Sequence, residues 1–193
     1  MHIPTLQTQR LSIRQFDLSD LDTLYQILDV ELEGNTSEQA LLDRQQWLEW
    51  AVRNYAALER LHQPPYGDRA IVLRSSGELI GACGLAPVLL PFAQIPALRP
   101  ADVPPSTPVR NTSEIGLYWA ISSRYQRRGY ATEAGAALIR FAFAELGLQR
   151  IVATTTYDNT ASIGVMRKLG MSIEHNPLPE PIFMQVVGVL ENR

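Results

Sequence analysis

One cysteine among 193 residues, Cys83, rules out an internal disulfide and the small scaffolds that depend on such bridges. Histidine is nearly as scarce: His2, His62 and His175 stand far apart with no ligand spacing, so no metal is expected. No run of about eighteen apolar residues occurs, and no membrane partner is expected. The first residues mix Thr5, Gln7, Gln9, Arg10 and Arg14 with apolar neighbours, unlike a secretory leader, so a cytoplasmic location is the expectation. An excess of positive charge is also missing. With 17 Lys and Arg against 20 Asp and Glu, the net charge of −3 provides no overall field to draw in nucleic acid. What is present is apolar material: 46% hydrophobic and 19% charged residues support a packed core, in one domain covering residues 1–193.

Leu11-Ser12-Ile13-Arg14 alternates as a half-buried strand does, and residues 17–20 supply cap-type side chains ahead of Leu21, Leu24, Ile27 and Leu28. Ser37 opens a long helical pattern that Pro64 and Pro65 stop. Two β-rich runs, 69–74 and 78–85, flank Ser75-Ser76-Gly77 and read as an antiparallel hairpin. Seven of the 13 prolines then fall between Pro87 and Pro108. Proline has no amide hydrogen to give a ladder, so residues 87–113 read as an insertion loop and not as a central strand or regular helix. A third apolar run, 114–121, leads through a basic turn into a helix over 131–146 that Gly147 closes. A strand over 150–155, a short helix over 159–169 ended by Gly170, and a last strand over 186–190 complete the chain.

The basic turn, Gln126-Arg127-Arg128-Gly129-Tyr130-Ala131, joins a strand directly to a helix. The first amides of a helix have no intrahelical acceptor and sit at the positive end of its dipole. Gly129 permits a tight turn with close backbone approach, and Arg124, Arg127 and Arg128 add full charges, an arrangement suited to a pyrophosphate. Neither GxxxxGK[ST] nor GxGxxG after a strand is present, which turns attention from nucleoside triphosphates and dinucleotides to another phosphate-bearing cofactor. Surface solvation of the arginines is the alternative reading of the same residues.

Residues 114–121 (Glu-Ile-Gly-Leu-Tyr-Trp-Ala-Ile), then Gln126-x-x-Gly129-x-Ala131-Thr132-Glu133-Ala134, Asn159-x-x-Ser162 and Lys168-Leu169-Gly170-Met171 resemble the GNAT superfamily of acyl-CoA-dependent N-acetyltransferases. Within it, the ribosomal-protein N-terminal acetyltransferase branch is most similar, and the likeness starts at Gln9-Arg10-Leu11-x-Ile13-Arg14. The resemblance implies an α/β (mixed α+β) fold: a twisted, mixed and mostly antiparallel sheet of six to seven strands flanked by helices and split between its fourth and fifth strands. It also implies acetyl-CoA as cosubstrate, with Gln126, Arg127, Arg128, Gly129, Tyr130, Ala131 and Thr132 around the pyrophosphate. Main-chain groups of Trp119 and Ile121 would pair with the pantetheine arm, and Asn159 would bond the arm or a water. The family's last motif glycine is Ala131 here.

Acyl transfer from a thioester to an amine needs a neutral amine, a polarised carbonyl and a stabilised thiolate. The resemblance assigns polarisation to the Trp119 N–H, proton removal to Glu114 and thiolate protonation to Ser162, since the helix after Asn159 holds no tyrosine. Five steps separate Glu114 from Trp119, an odd number, so a β-bulge near Gly116 is expected if the two are to face one cleft. Tyr118, Trp47 and Trp50 are candidate walls for the acceptor, a primary amine on a protein N-terminus or a small molecule; Cys83 reads as a buried hydrophobe. The expected assembly is a monomer or homodimer. A catalytically silent acyl-CoA-binding or regulatory module is the alternative function.

Overall fold

The alternation at Leu11 becomes strand β2 (Leu11–Arg14), in which Leu11 and Ile13 are wholly buried. A computed structural model describes residues 4–102, 104 and 110–192. The strands are β1 (Leu6–Gln7), β2, β3 (Gly67–Leu73), β4 (Leu79–Leu90), β5 (Thr112–Ile121), β6 (Arg150–Thr155), β7 (Ser172–His175) and β8 (Val186–Glu191). They form a mixed sheet in the order β1-β2-β3-β4-β5-β6-β8-β7, with β5 and β6 parallel. The count of eight exceeds the expected six to seven. The additional pieces include β1, whose two residues are too few to show a periodicity and which pairs Leu6 with Ile13.

Contacts divide the chain into two compact units. The first runs to Leu85 and adds Tyr118–Leu146; the second comprises Ala86–Leu117 and the residues from Gly147 onward. In the first unit, α1 (Leu21–Tyr25) continues into a π-helical turn (Gln26–Glu31), and α2 (Glu38–Arg60) is capped by Ser37, whose hydroxyl accepts from the Ala40 N–H at 3.1 Å. Phe16, Leu24, Ile27, Leu48, Ala70, Val72, Leu79 and Ala82 form a core there. The β3–β4 register changes between Ile71 and Val72, which face Gly81 and Leu79, so Ile80 is the extra residue of a bulge. Helix α3 (Tyr130–Ala144) buries Ala134, Ala137, Leu138, Phe141 and Ala142, a stripe at helical spacing.

The second unit corrects the reading of the proline-rich segment. Strand β4 continues to Leu90 with Pro87 inside it. The β3 ladder has already ended at the Gly67–Leu85 pair, so the missing proline N–H interrupts no β3 bond. Phe92–Gln94 and Pro96–Leu98 then form single 3-10 turns, and Phe92, Ile95 and Leu98 recur every three residues, the period of that helix. Phe92 and Ile95 are wholly buried with Val152, Met184, Val187 and Val189. Phe92 and Ile95 of the insertion are therefore core, while residues 103 and 105–109 of it lie outside the described residues. Helix α4 (Thr160–Lys168) and β7 pack on β8 so closely that a Cβ at Gly188 would meet the sulfurs of Met171 and Met166 at 2.9 and 3.1 Å.

Candidate active site

Where β5 ends, Ser122 is fully buried and donates its hydroxyl to Glu31 of the π turn at 2.6 Å; the Ser123 N–H reaches the same oxygen at 3.0 Å. Burial alone would push the Glu31 carboxyl up. The two serine hydroxyls, the Ser123 amide and the Arg124 guanidinium outweigh it and hold the group below its ordinary value. Tyr125 donates to Glu78 at 2.6 Å, and the Gln126 side-chain amide donates to the Ile121 carbonyl at 3.0 Å. Gln126 thus fastens the turn to the strand end.

The chain then passes through two left-handed residues, Arg127 at φ 59° and Gly129 at φ 83°, and enters α3 with no side-chain cap. The Glu133 N–H bonds back to the Gly129 carbonyl at 3.0 Å, so the amides of Tyr130, Ala131 and Thr132 precede the helical ladder. Arg124, Arg127 and Arg128 are exposed around them. Uncapped amides, a helix dipole and the Arg127 and Arg128 guanidiniums form a donor set that fits a pyrophosphate, while Arg124 is ion-paired with Glu31 at 3.7 Å and Glu78 at 3.5 Å.

Two residues that matter here were within the quoted motifs without a role. Glu133 accepts from the Thr8 hydroxyl at 2.6 Å, from the Arg10 N–H at 2.9 Å and from Arg10 Nε at 2.6 Å. Arg10 also donates to the Arg128 carbonyl at 2.9 Å and covers the Tyr130 ring at 4.4 Å. The β1–β2 turn is thereby tied to the outer side of the anion turn. Two acidic or basic residues 123 apart carry no local signal of such a pairing.

On the α1–α2 face of the same unit, Tyr118 packs against the core and donates its hydroxyl to the Asp68 carboxylate. Gly84 makes room for it: a Cβ there would lie 2.5 Å from Tyr118 Cε1 and 2.8 Å from the Gly67 carbonyl. Trp47 stands edge-on to Phe16 at 5.7 Å with Arg44 5.0 Å over its ring, and Arg44 makes a two-point ion pair with Asp29. Trp50, by contrast, is 57% exposed and lines an outer groove of α2 with Gln46, Arg53 and Asn54, so the two tryptophans do not share a wall. Burial pushes the Cys83 thiol up to about 12, which leaves it an unreactive, protonated core residue as expected.

In the second unit, Gly116 of β5 pairs with Val152 of β6, which sets Glu114 beside Arg150 two residues earlier on each strand. The Glu114 carboxylate engages Arg150 through both oxygens, one of them 3.0 Å from Nε, and its side chain is 10% exposed. It shares a strand face with Gly116, where a Cβ would meet Val88 at 3.3 Å. The bulge that the β3–β4 register places lies on β4; β5 runs as one strand from Thr112 to Ile121, with Trp119 an odd number of steps from Glu114. At the start of α4, Asn159 is the cap: its Oδ1 accepts from the Ser162 N–H at 3.0 Å. The capping role is therefore filled by Asn159, and the half-buried Ser162 hydroxyl makes no hydrogen bond among the described residues.

An anion cradle at the head of a helix, fed by a strand of a mixed sheet, suits a phosphate-bearing carrier. Residues 10–172 match the family model described as Acetyltransferase (GNAT) domain, and the chain belongs to that family of acetyl-CoA-dependent acetyltransferases. The uncharacterized N-acetyltransferase YnaD of Bacillus subtilis (strain 168) is 44% identical over 64 residues, which are 33% of this chain and 36% of YnaD, so the match spans about a third of that relative. YoaA of the same organism, also an uncharacterized N-acetyltransferase, is 26% identical over 172 residues, 89% of this chain and 84% of YoaA. Among solved structures, RimL, the ribosomal L7/L12 alpha-N-protein acetyltransferase in complex with coenzyme A, superposes with a TM-score of 0.60 at 16% identity, covering 99% of this chain and 98% of RimL. That likeness is one of fold.

Proposed function

We propose that the protein transfers the acetyl group of acetyl-CoA directly to a primary amine, and that a protein N-terminus of the ribosomal-protein type is the first acceptor to test, a small-molecule amine the second. The observation that carries the reading is the uncapped start of α3 with its exposed arginines, directly after β5. Acetyl-CoA supplies an activated thioester. Backbone amides of 127–132 hold the pyrophosphate, and main-chain groups of Trp119 and Ile121 hold the pantetheine arm. The Trp119 N–H polarises the thioester carbonyl. Asn159, with Oδ1 committed to its cap, has Nδ2 left to donate, and the unengaged Ser162 hydroxyl supplies a proton to the departing thiolate. Glu114 is poorly disposed to take the amine's proton with both oxygens on Arg150; it anchors β5 to β6.

Support for a peptide acceptor comes from the RimL likeness in fold, and cytoplasmic residence and a monomeric or homodimeric state belong to the same proposal. The test measures thiol release from acetyl-CoA with a panel of N-terminal peptides of ribosomal proteins and simple primary amines, the acetylated product being identified by mass spectrometry. Release that depends on one acceptor class supports the reading and names that class. Acetyl-CoA binding with no release against either set would overturn it.

A further inference from the structure

A carboxylate that the sequence motifs pass over meets the requirements for handling the acceptor. Asp68 is half-buried at the start of β3, and one of its oxygens accepts the Tyr118 hydroxyl. Its other oxygen, Oδ2, accepts no hydrogen bond from the described residues. Among those residues no side-chain oxygen sealed from solvent lacks a partner, so Oδ2 must open to solvent. The neighbours leave its charge uncancelled. Arg44 of α2 faces Asp68 but is neutralised by its two-point pair with Asp29, at 2.8 and 3.2 Å. The adjacent Arg69 is 1% exposed and spends its guanidinium on the Pro4 carbonyl at 2.6 Å, the Pro65 carbonyl at 3.4 Å and the Phe141 ring. Tyr55 of α2 donates to the Asp68 main-chain carbonyl at 2.7 Å, and Cys83 of β4 stays protonated. A half-buried carboxylate held at one oxygen and open to solvent at the other is a receptor for a single hydrogen-bonding cation.

We propose, building on the acetyl-transfer reading, that Asp68 receives the primary ammonium of the acceptor at Oδ2 and takes its proton, with Tyr118 as the positioning residue that holds Oδ1. The amine enters as R–NH3+ and gives one proton to Asp68. The nitrogen lone pair forms the C–N bond to the acetyl carbon of acetyl-CoA, the C–S bond breaks, the Ser162 hydroxyl protonates the thiolate, and a second amine proton restores that hydroxyl. The proton on Asp68 leaves to solvent through the same open oxygen. Burial pushes the Asp68 carboxyl up, against the Tyr118 hydrogen bond and the Arg44 charge that pull it down, and the net rise suits a proton acceptor.

The test has one arm that needs turnover and one that does not. With an amine identified in the thiol-release panel, Asp68→Asn should lower kcat/KM for the amine about 100-fold at neutral pH, within the range of lost general-base catalysis, and leave acetyl-CoA affinity unchanged. Raising the pH toward the amine's own pKa should recover part of that loss. Tyr118→Phe removes a donor to the charged form, so the acid limb of the kcat/KM profile should move to higher pH, a shift that a purely structural contact would not give. Independently of turnover, the Asp68 side-chain carboxyl resonance is followed by carbon NMR as n-butylamine is added to the CoA-loaded protein. A saturating shift, absent in Asp68→Asn, is the expected result and would stand even if no peptide were acetylated. An Asp68 resonance indifferent to the amine, or an Asp68→Asn enzyme with unaltered kcat/KM and pH profile, would overturn the proposal.

Discussion

Replacing Glu133 by alanine removes the pin between the β1–β2 turn and the first turn of α3. The carboxylate accepts from the Thr8 hydroxyl, the Arg10 N–H and Arg10 Nε at 2.6, 2.9 and 2.6 Å, and its side chain is 17% exposed against 42% for Arg10. Hydrogen bonds to a charged partner contribute about 1.5–3 kcal/mol each when well shielded, and the exposed Arg10 end must be discounted toward the ~0–1 kcal/mol of a surface pair. A loss of about 2–3 kcal/mol follows, or roughly 4–12 °C in Tm for a chain of this size. Glu133→Gln keeps an acceptor for Thr8 and for the Arg10 amide and loses the ion pair, so it should cost only about 1 kcal/mol. Burial by itself would raise the Glu133 carboxyl, but the Thr8 and Arg10 donors hold it below its ordinary value. A depressed folded value means the stabilisation is fully present above the unfolded carboxyl pKa, about 4.3 for Glu, and disappears as pH falls through the folded one. Urea titrations of wild type and Glu133→Gln at pH 7 and at steps below pH 4.5 read this directly. A difference that does not shrink on acidification, or a Glu133→Ala loss under about 0.5 kcal/mol, would refute the reasoning.

Gly129→Asp puts a side chain and a negative charge at a φ of 83° in the anion turn, and calorimetric titration should show acetyl-CoA affinity falling more than tenfold, about 1.4 kcal/mol. Ser162→Ala should lower kcat more than it weakens acetyl-CoA binding, read by steady-state kinetics beside calorimetry, because a proton donated to sulfur matters most in the transition state. Glu114→Gln should reduce stability by about 1–3 kcal/mol in denaturant titration by leaving Arg150 only its 3.4 Å contact with the more exposed Glu191, and keep most of its turnover; a collapse of turnover in a folded variant would restore Glu114 as the base.

Alternation at Leu11–Arg14, the Ser37 cap, the glycines at 129, 147 and 170, and the order of the longer strands and helices were legible in the residues, because these signals are carried within a few positions, whereas the short strands β1 and β7 were not. The anion turn belongs to the same class, since a strand, a glycine and a helix start are consecutive in the chain. The prolines after Pro87 misled: their count argues for a loop, and only the end of the β3 ladder at Leu85 and the burial of Phe92 and Ile95 show why strand and core are possible there. Side-chain commitments were also beyond local reading. Whether Glu114 is free or held by Arg150, whether Asn159 or Ser162 caps α4, and which carboxylate Tyr118 meets depend on strand register and on packing between distant segments. A sequence specifies its backbone periods locally, but a carboxylate's availability is the outcome of who sits across the sheet from it, and that was decided by the tertiary structure alone.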